Sequence, residues 1–324
     1  MNSHKVQRLI NSNEFSLIMM PTEQCNFKCQ YCYEEHRNIA YSDRTIQAIK
    51  ELLYRRGQRY QVLNIEWFGG EPLLKLRSIL DIMKTAQSAF QVVRGGITSN
   101  GYLLNSNTID ELYAVGVKHY QITLDGDKEH HDKTRLTKSK RATFDKIWGN
   151  LLLLKESEHL DLDVTIRIHL TTDNLDSVTR LLREISAKFE TDKRFHLLFK
   201  PIVQLGGEND SQLNVIPTHL EEPIVNALEQ IAGKINKNFA THQKLLDTNS
   251  YCYASNPHHL VIRANGDINK CTVALDKPEN TVGKLNSDGS ISINEQRFKY
   301  WLRGLENLEP DVLLCPNYQP QTKL

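Results

Sequence analysis

Apolar runs of strand length alternate along the chain with stretches whose apolar residues recur at helical spacing. The runs predict strands at Phe15–Met20, Leu63–Phe68, Val92–Ser99, His119–Leu124, Val164–Leu170 and Phe195–Val203. The stretches between them predict helices at Asp43–Arg56, Leu76–Phe90, Ser106–Val115, Thr143–Glu158 and Asn174–Phe189. This alternation implies an α/β fold with a parallel sheet and right-handed crossovers, closing partly or wholly into a barrel. Catalytic side chains are then expected just past the carboxyl ends of the strands.

The alternation stops at a polar, glycine-bearing stretch, Gln204–Asn214. A helix is predicted after it at Leu220–Phe239, and from about Asp247 the chain changes to short strands with turns at Asn265–Asp267 and Ser287–Gly289. We therefore expect a barrel domain over residues 1–210, a linker helix over 211–246 and a small domain over 247–324.

Charge and composition narrow the class of protein. The 324 residues include 40 Lys and Arg against 39 Asp and Glu, so no global field attracts a polyanion, and nucleic acid is not expected as a partner. The sequence has no signal peptide and no run of about 18 apolar residues, which predicts a cytoplasmic protein without a membrane span. In that reducing compartment the 6 cysteines are expected to be metal ligands or nucleophiles.

The first cysteine group follows the first predicted strand. Cys25, Cys29 and Cys32 can hold three irons of a cubane cluster and leave the fourth iron open for another ligand. The alternative is a zinc site, but structural zinc takes four protein ligands and His36 is the only nearby candidate to complete it.

This C-x3-C-x2-C motif, with Tyr31 before its last cysteine, resembles that of the radical S-adenosylmethionine (SAM) superfamily. The resemblance implies a partial (β/α)6 TIM-like barrel. It also implies a [4Fe-4S] cluster whose open iron chelates SAM, and reductive cleavage of SAM to a 5′-deoxyadenosyl radical. In such enzymes the cofactor carries out the difficult chemistry and the protein positions it.

Further segments resemble the family in the expected order. Phe68–Pro72 looks like its GGE segment, although glycines are also common in simple strand-to-helix turns. Thr98–Gly101 and Ile122–Gly126 are similar to segments that meet SAM in relatives. Glu71 and Asp125 lie after strand ends, where we expect their carboxylates to stay solvated and to position SAM. The residues implied at SAM are Tyr31, Gly69, Gly70, Glu71, Ser99, Asn100, Thr123, Asp125, Arg135 and Arg167.

Candidates for catalysis are fewer. His131–Arg135 resembles the H-D-x-x-R of the branch with extra clusters, and Arg135 could equally form an ordinary ion pair with Asp132. Strand alternation places Arg167 and His169 on the polar face of their strand, either in the barrel lumen or as hydrated rim residues. The same two interpretations apply to the remaining catalytic candidates, His196 and Lys200.

The second cysteine group is Cys252, Cys271 and Cys315. Gly266–Cys271 resembles the G-x4-C signature of the SPASM/Twitch extension, which implies a small C-terminal Twitch-like domain with one auxiliary [4Fe-4S] cluster. Tyr318 stands where a fourth cysteine would be, so the fourth iron is open or bound by Tyr318, another side chain or substrate. The alternative is that these cysteines are merely small buried hydrophobes.

The catalytic half most resembles the branch of anaerobic sulfatase maturases and peptide-modifying enzymes. That resemblance implies hydrogen abstraction from a peptide or protein, giving side-chain oxidation, a cross-link or epimerisation, with flavodoxin or ferredoxin as electron donor. Thr272 stands where the sulfatase maturases place an acidic proton acceptor, so that role is unassigned. The alternatives are a Twitch-type dehydrogenase or epimerase of a small alcohol or aminoglycoside-like molecule, and a non-enzymatic iron-sulfur assembly or sensor protein, which would not need the SAM-binding segments.

Overall fold

The computed structural model describes residue 7 and residues 9–238 and 251–317. Within them the strands are β1 (Glu14–Met19), β2 (Phe27–Cys29), β3 (Val62–Trp67), β4 (Val92–Ser99), β5 (Val117–Leu124), β6 (Arg135–Thr137), β7 (Asp163–Leu170), β8 (Phe195–Pro201), β9 (Asn236–Asn238), β10 (His259–Ile262), β11 (Asp267–Asn269), β12 (Thr281–Leu285) and β13 (Ile291–Ile293).

Six parallel strands form the centre of the main sheet in the order β1-β3-β4-β5-β7-β8. These are the six strands expected from the sequence, and the α/β architecture with a partial barrel is confirmed. The sheet carries β9 beyond β8 and β10 to β13 beyond β1, so within the described residues it remains open.

Helices follow the strands, as the crossovers require. They are α1 (Asp43–Gly57), α2 (Leu76–Ala89), α3 (Ser106–Ala114), α4 (Lys128–Thr134), α5 (Phe144–Glu156), α6 (Leu175–Phe189), α7 (Thr218–Ile231), α8 (Glu295–Asn307) and α9 (Pro310–Leu314). Side-chain caps fix some of their starts, since Ser42 accepts from the Thr45 amide at 3.1 Å and Asn105 from the Thr108 amide at 3.0 Å.

Burial alternates along the central strands. In β7, Val164, Ile166 and Ile168 are fully buried, whereas Arg167 and His169 are only partly buried on the opposite face. Because the crossover helices cover the apolar face, the polar face looks into the open lumen of the barrel. The strand pattern alone therefore directs these polar side chains toward the interior space where a substrate could bind.

The predicted linker helix is shorter than expected. It spans Thr218–Ile231, because Gly233 with φ +65° follows its end, and the left-handed conformation terminates a helix. The chain then forms β9, which pairs with β8 in parallel, and Phe239 lies outside the described residues.

The carboxyl-terminal strands belong to the same sheet as the barrel. β10 pairs with β1 in parallel over Ser16–Met19, and β11, β12 and β13 follow antiparallel to one another. A buried ion pair joins the two parts, with Arg263 donating to Glu23 at 2.8 Å. The small domain proposed for residues 247–324 is thus connected to the barrel by backbone hydrogen bonds as well as by the chain.

No helix in the described parts of the chain combines the length and the apolar character that a membrane crossing requires.

Candidate active site

A cavity opens at the carboxyl ends of the parallel strands, with about 990 Å³ of space not filled by protein atoms, part of it open to solvent. Pockets for small molecules commonly have this size. Many residues singled out from the sequence line it: Cys25, Cys29, Tyr31, Cys32, Gly69, Gly70, Ser99, Asn100, Thr123, Arg135, Arg167, His169 and Lys200.

A small second sheet positions the cysteine loop. β2 pairs antiparallel with β6, so that Phe27 lies opposite Thr137 and Cys29 opposite Arg135. Phe27 is fully buried and anchors the loop in the core. The side-chain amide nitrogen of Asn100 lies 3.9 Å from the Cys25 sulfur. Neither strand was expected from the sequence, because each has only three residues.

The three cysteines fit a cluster better than a single ion. All three line the same cavity, yet no three His, Cys, Asp or Glu side chains of residues 9–238 and 251–317 lie close enough together to hold one metal ion. The thiolates of a cubane bind different irons and need not converge on one point, whereas zinc requires Zn–S distances of about 2.3 Å to a single centre. His36 Nε2 lies 3.4 Å from the Cys32 sulfur, which is a contact with a cysteine rather than a fourth zinc ligand.

Burial governs the protonation of these thiols. It raises the pKa of Cys25 and of Cys32 to about 12, with the nearby carboxylates of Glu71 and Glu34 acting in the same direction. A positively charged iron centre would stabilise the thiolate forms, since a coordinating thiol is deprotonated. The donor set therefore suits a bound cluster.

The two glycines after β3 permit a close approach to the cysteine loop. A Cβ on Gly70 would lie 2.0 Å from the carbonyl oxygen of Gln24, and the Glu71 amide donates to that same oxygen at 2.8 Å. Gly69 has φ +84°, which favours glycine. The glycines therefore have a structural role in this turn, which also forms part of the cavity wall, and its contact with SAM stays a prediction.

Glu71 is not solvated, contrary to the expectation from its place after a strand. It is fully buried and accepts hydrogen bonds from the Leu73 amide at 3.0 Å, from Ser99 Oγ at 2.9 Å and from the Asn100 amide at 2.8 Å. The strands β3 and β4 are neighbours, so the Glu71 carboxylate closes the gap between their ends. Its side chain fixes the backbone of the Ser99–Asn100 wall.

Asp125 is also buried, and the expectation that it is solvated is wrong. Its carboxylate accepts from Tyr31 Oη at 2.8 Å and from Thr134 Oγ1 at 2.8 Å, and His169 Nδ1 lies 3.5 Å away. Burial alone would raise the pKa of Asp125, but Arg135 and His169 hold it well below its usual range. Asp125 is therefore a permanent anion beneath the cavity.

Arg135 does not pair with Asp132, so that alternative is wrong. Its guanidinium is buried and donates to the hydroxyl of Tyr31. Asp132 instead accepts from the amides of Thr143 and Phe144 at 2.8 and 2.9 Å at the start of α5. The Arg135 side chain thus holds together the Tyr31–Asp125 network next to the cysteine loop.

The catalytic candidates separate into two positions. Arg167, His169 and Lys200 line the cavity, which favours the lumen over the rim for this face. His196 is not among the lining residues, and its Nε2 lies 3.5 Å from Asp163 near the other end of the sheet. His196 lies four positions before Lys200 on β8, or about 13 Å at 3.3 Å per residue, so the structure does not bring it to the cavity with the other candidates.

Other residues at the cavity were not found from the sequence. Tyr33 and Glu34 line it, and so do the apolar Ile202, Val203 and Leu205 after β8. Tyr33 could have been noticed, because it directly follows Cys32. The apolar residues form no motif, and only the fold brings them to the cavity mouth.

The second cysteine group gathers near the cavity. The backbone amide of Cys252 donates to the carbonyl of Leu313, two residues before Cys315, at 2.7 Å. The Tyr253 hydroxyl lies 3.9 Å from the Cys271 sulfur. Burial raises the pKa of Cys252 to about 11, and the charges of Cys271 and Cys315 act in the same direction. Tyr318 lies outside the described residues.

One hydrogen bond connects the two cysteine groups. Tyr33, beside Cys32, donates from its hydroxyl to the carbonyl of Thr272, beside Cys271, at 3.2 Å. Tyr253 in turn lies 2.8 Å from the Thr272 hydroxyl. Thr272 thus contacts two tyrosines, and one of them, Tyr33, lines the cavity.

Comparison with known protein sequences places these observations in a family context. A sequence profile described as "Radical SAM superfamily" matches residues 19–185. An uncharacterised protein of Methanocaldococcus jannaschii is 26% identical over 290 residues, 87% of this chain and 93% of that one. GTP 3′,8-cyclase of Gloeobacter violaceus is 35% identical over 107 residues, 32% of each chain. The chain spans 32% to 55% of the length of the first GTP 3′,8-cyclases it matches.

Solved structures share the fold. Native anSMEcpe with bound AdoMet, another name for SAM, and Cp18Cys peptide superposes with a TM-score of 0.68 at 16% identity, covering 89% of this chain and 83% of that one. Streptococcus suis SuiB bound to precursor peptide SuiA gives a TM-score of 0.60 at 16% identity, covering 92% and 67%.

Proposed function

Because this chain belongs to the radical SAM superfamily, we propose that it abstracts a hydrogen atom from a peptide or protein and so modifies a side chain. The cofactors of this family are a [4Fe-4S] cluster and SAM, and the reduced cluster cleaves SAM to a 5′-deoxyadenosyl radical. The outcome is oxidation, a cross-link or epimerisation of the substrate residue.

Residues of this chain hold the cofactors in this proposal. Cys25, Cys29 and Cys32 bind the cluster, and the Ser99–Asn100 wall and Thr123 contact SAM from the ends of β4 and β5. Glu71 affects SAM binding indirectly, because its carboxylate accepts hydrogen bonds from the Ser99 hydroxyl and the Asn100 backbone amide and holds both in place. Tyr31 and Arg135 keep the cysteine loop packed against Asp125.

The second cysteine group binds an auxiliary cluster in this proposal. Cys252, Cys271 and Cys315 supply three thiolates, and the Tyr33–Thr272 hydrogen bond sets this cluster next to the substrate cavity. A flavodoxin or ferredoxin delivers electrons. The fourth ligand of the auxiliary cluster is open to Tyr318, another side chain or substrate.

The apolar mouth of the cavity is the observation that carries the peptide assignment. Val203 and Leu205, which line the cavity after β8, are 42% and 39% exposed. Exposed apolar groups around an opening are typical of surfaces that bind other molecules. The likeness to anSMEcpe and SuiB, both solved with peptides, supports the same substrate class.

The test of the cofactor chemistry uses the reconstituted enzyme. Reduced with dithionite, it should cleave SAM to 5′-deoxyadenosine, and Cys29→Ala should abolish this cleavage because one iron loses its thiolate. Cys271→Ala is the matched control: it should lose auxiliary iron and keep the SAM-binding cluster. Undiminished cleavage in Cys29→Ala would contradict the assignment.

The test of the substrate class is isotopic. An extract of cells grown in deuterated medium is supplied to the enzyme, and deuterium in 5′-deoxyadenosine is measured by mass spectrometry. If the substrate is a peptide or protein, treating the extract with protease before the reaction should remove the transfer. Transfer that survives protease and follows the small-molecule fraction would favour a small alcohol or sugar instead.

A further inference from the structure

Backbone amides donate to cysteine sulfurs in both cysteine groups. In the first group, the amide two residues after Cys25 donates to its sulfur at 3.4 Å. In the second group, the amide two residues after Cys252 donates to that sulfur at 3.4 Å, and the amide two residues after Cys271 does so at 3.3 Å. Such donors favour a thiolate, because hydrogen bonds to a charged acceptor are stronger than those to a neutral one. The second group therefore offers its sulfurs the same kind of support as the first and fits iron-bound thiolates.

The sulfur of Cys271 also has a hydroxyl beside it. The hydroxyl oxygen of Tyr253 lies 3.9 Å from this sulfur, 2.8 Å from Thr272 Oγ1 and 3.0 Å from the Thr272 amide nitrogen. Because that amide donates to the Tyr253 oxygen, the one O–H proton of Tyr253 remains for either the threonine hydroxyl or the cysteine sulfur. Thr272 and Cys271 are both buried, so the choice between these acceptors is made within the protein.

The backbone that carries the two acceptors is held from several sides. The side-chain oxygen of Asn280 accepts from the Cys271 amide at 2.9 Å, and its side-chain nitrogen donates to the Cys271 carbonyl at 2.7 Å. The Thr272 carbonyl accepts from the hydroxyl of Tyr33 at 3.2 Å. Asn280 is fully buried, so these bonds are shielded from water. The distances from Tyr253 to its two acceptors are therefore fixed by the fold.

The charge on the sulfur decides which acceptor receives the proton. A neutral thiol is a weak acceptor, so without bound iron the Tyr253 hydroxyl favours the Thr272 hydroxyl. A cysteine sulfur bound to iron is a thiolate. Hydrogen bonds to an ionised acceptor are roughly twice as strong as those between neutral groups, which favours the Cys271 sulfur instead.

We propose that Tyr253 donates a hydrogen bond to the Cys271 thiolate of the auxiliary cluster and thereby raises the reduction potential of that cluster. The presence of the auxiliary cluster rests on the proposed function. Hydrogen bonds to the sulfurs are among the factors that set the potential of an iron-sulfur cluster. Uptake of one electron makes the cluster and its thiolates more negative, so the bond from Tyr253 stabilises the reduced state more than the oxidised state.

A redox titration of the auxiliary cluster alone tests this role. The full chain with Cys25, Cys29 and Cys32 all replaced by Ala is reconstituted with iron and sulfide and reduced stepwise with dithionite, and the reduced cluster is measured by EPR. Adding Tyr253→Phe should lower the equilibrium constant for one-electron reduction about tenfold, which is a shift of about 59 mV to more negative potential.

Tyr113→Phe in the same background is the matched control. It removes a hydroxyl that donates to Asp161 at 2.7 Å, where α3 ends, and should leave the potential unchanged. A loss of stability in Tyr253→Phe without a change in potential would make Tyr253 a structural residue only and would overturn the proposal.

Removing the competing acceptor should give the opposite sign. Thr272→Val keeps the backbone amide and carbonyl and leaves the Cys271 sulfur as the acceptor for the Tyr253 proton, so the potential should rise. The double variant Tyr253→Phe with Thr272→Val should have the potential of Tyr253→Phe alone, because Thr272 acts through Tyr253. Additive shifts in the double variant would contradict this coupling.

A second measurement locates the proton itself. After exchange into D2O, pulsed ENDOR of the reduced auxiliary cluster should detect a coupled deuteron that is absent in Tyr253→Phe and present in Tyr113→Phe. An unchanged deuteron spectrum and an unchanged potential in Tyr253→Phe would overturn the hydrogen bond and leave the proposed function standing. If the parent with three Ala substitutions binds no iron, the auxiliary cluster and this proposal both fail, whereas SAM cleavage by the wild type still tests the first cluster.

Discussion

Glu71 is a carboxylate whose three hydrogen bonds tie the turn after β3 to the end of β4. Burial raises its pKa, and the amides of Asn100 and Leu73 oppose that rise by favouring the charged form. The residue thus stabilises the wall beside Cys25, which the Asn100 side chain contacts.

Replacing Glu71 by Ala should destabilise the protein as a whole. Ser99, Asn100 and Leu73 would each lose a buried acceptor, and the cost of unsatisfied buried groups predicts a loss of about 3 kcal/mol or more in the free energy of unfolding. The iron content of the SAM-binding cluster should fall with it. Urea unfolding and iron analysis measure the two effects.

The exposed Glu111 on α3 provides the control. Glu111→Ala should change the free energy of unfolding by no more than about 0.5 kcal/mol and leave iron unchanged. Wild-type stability in Glu71→Ala, combined with weak SAM binding, would instead assign Glu71 to the cofactor directly.

The turn between β3 and α2 depends on backbone contact, since the Gly70 Cα faces the Gln24 carbonyl. Gly70→Ala would force its Cβ to within 2.0 Å of that oxygen, so the cysteine loop has to move. We expect a stability loss of about 2 kcal/mol or more from the backbone strain. SAM affinity, measured by equilibrium dialysis, should fall as well.

Gly149 offers a matched comparison within a helix. A Cβ there meets nothing within 4 Å, and the residue lies inside α5, where Ala is favoured over Gly by up to about 1 kcal/mol. Gly149→Ala should therefore raise the melting temperature slightly and leave SAM affinity unchanged. Equal behaviour of the two variants would contradict the close-approach argument.

The molecule as a whole is tied together across its sheet. β10 pairs with β1 in the sheet. Glu23, at the start of the cysteine loop, forms ion pairs with Arg263 of the carboxyl-terminal part at 2.8 Å and with Arg37 at 2.6 Å. Because Glu23 and Arg263 are both buried, removing Glu23 would leave the Arg263 charge without its carboxylate, which is strongly destabilising. The strands β10 and β11, between Cys252 and Cys271, thus belong to the same hydrogen-bonded sheet as the barrel.

Buried neutral histidines make the stability of the molecule sensitive to acid. His131 is fully buried, with Nδ1 accepting from the Asp125 amide at 3.4 Å, and burial lowers its pKa to about 4. Burial likewise lowers the pKa of His169 to about 4. Since the unfolded value is about 6.5, the unfolded chain binds more protons than the folded one between these limits.

His131 makes the folded protein less stable as the pH falls. Its contribution to the free energy of unfolding is fully present above about pH 6.5 and is lost as the pH falls toward 4, at up to about 1.4 kcal/mol per pH unit. Burial raises the pKa of Glu34 to about 7, which acts in the opposite direction, so the wild-type slope alone is not diagnostic. The difference in slope between wild type and His131→Gln, measured by urea unfolding from pH 7 to 5, should approach one proton.

The exposed His219 supplies the control substitution. His219→Gln should reproduce the wild-type slope, since its environment changes little on unfolding. A His131→Gln slope equal to that of wild type would mean that folding does not lower the pKa of His131.

Much of the fold could be predicted from local pattern. The six barrel strands lie within two residues of their expected ends, and β4 matches at both ends. Strand and helix periodicities are properties of a few adjacent residues, and turns after strands recur where Gly and Asp stand. The three-residue strands β2 and β6 carry too little pattern to be predicted this way.

The sequence by itself determined the order of the elements and the cysteine motif, because both depend on residues close together along the chain. Only the tertiary structure decided the rest. The burial of Glu71, the partner of Arg135 and the position of His196 depend on contacts such as Tyr31 with Asp125, 94 residues apart, and Glu23 with Arg263, 240 residues apart. Such contacts form only when the sheet brings strand ends together, and no local periodicity encodes which polar side chain then meets which.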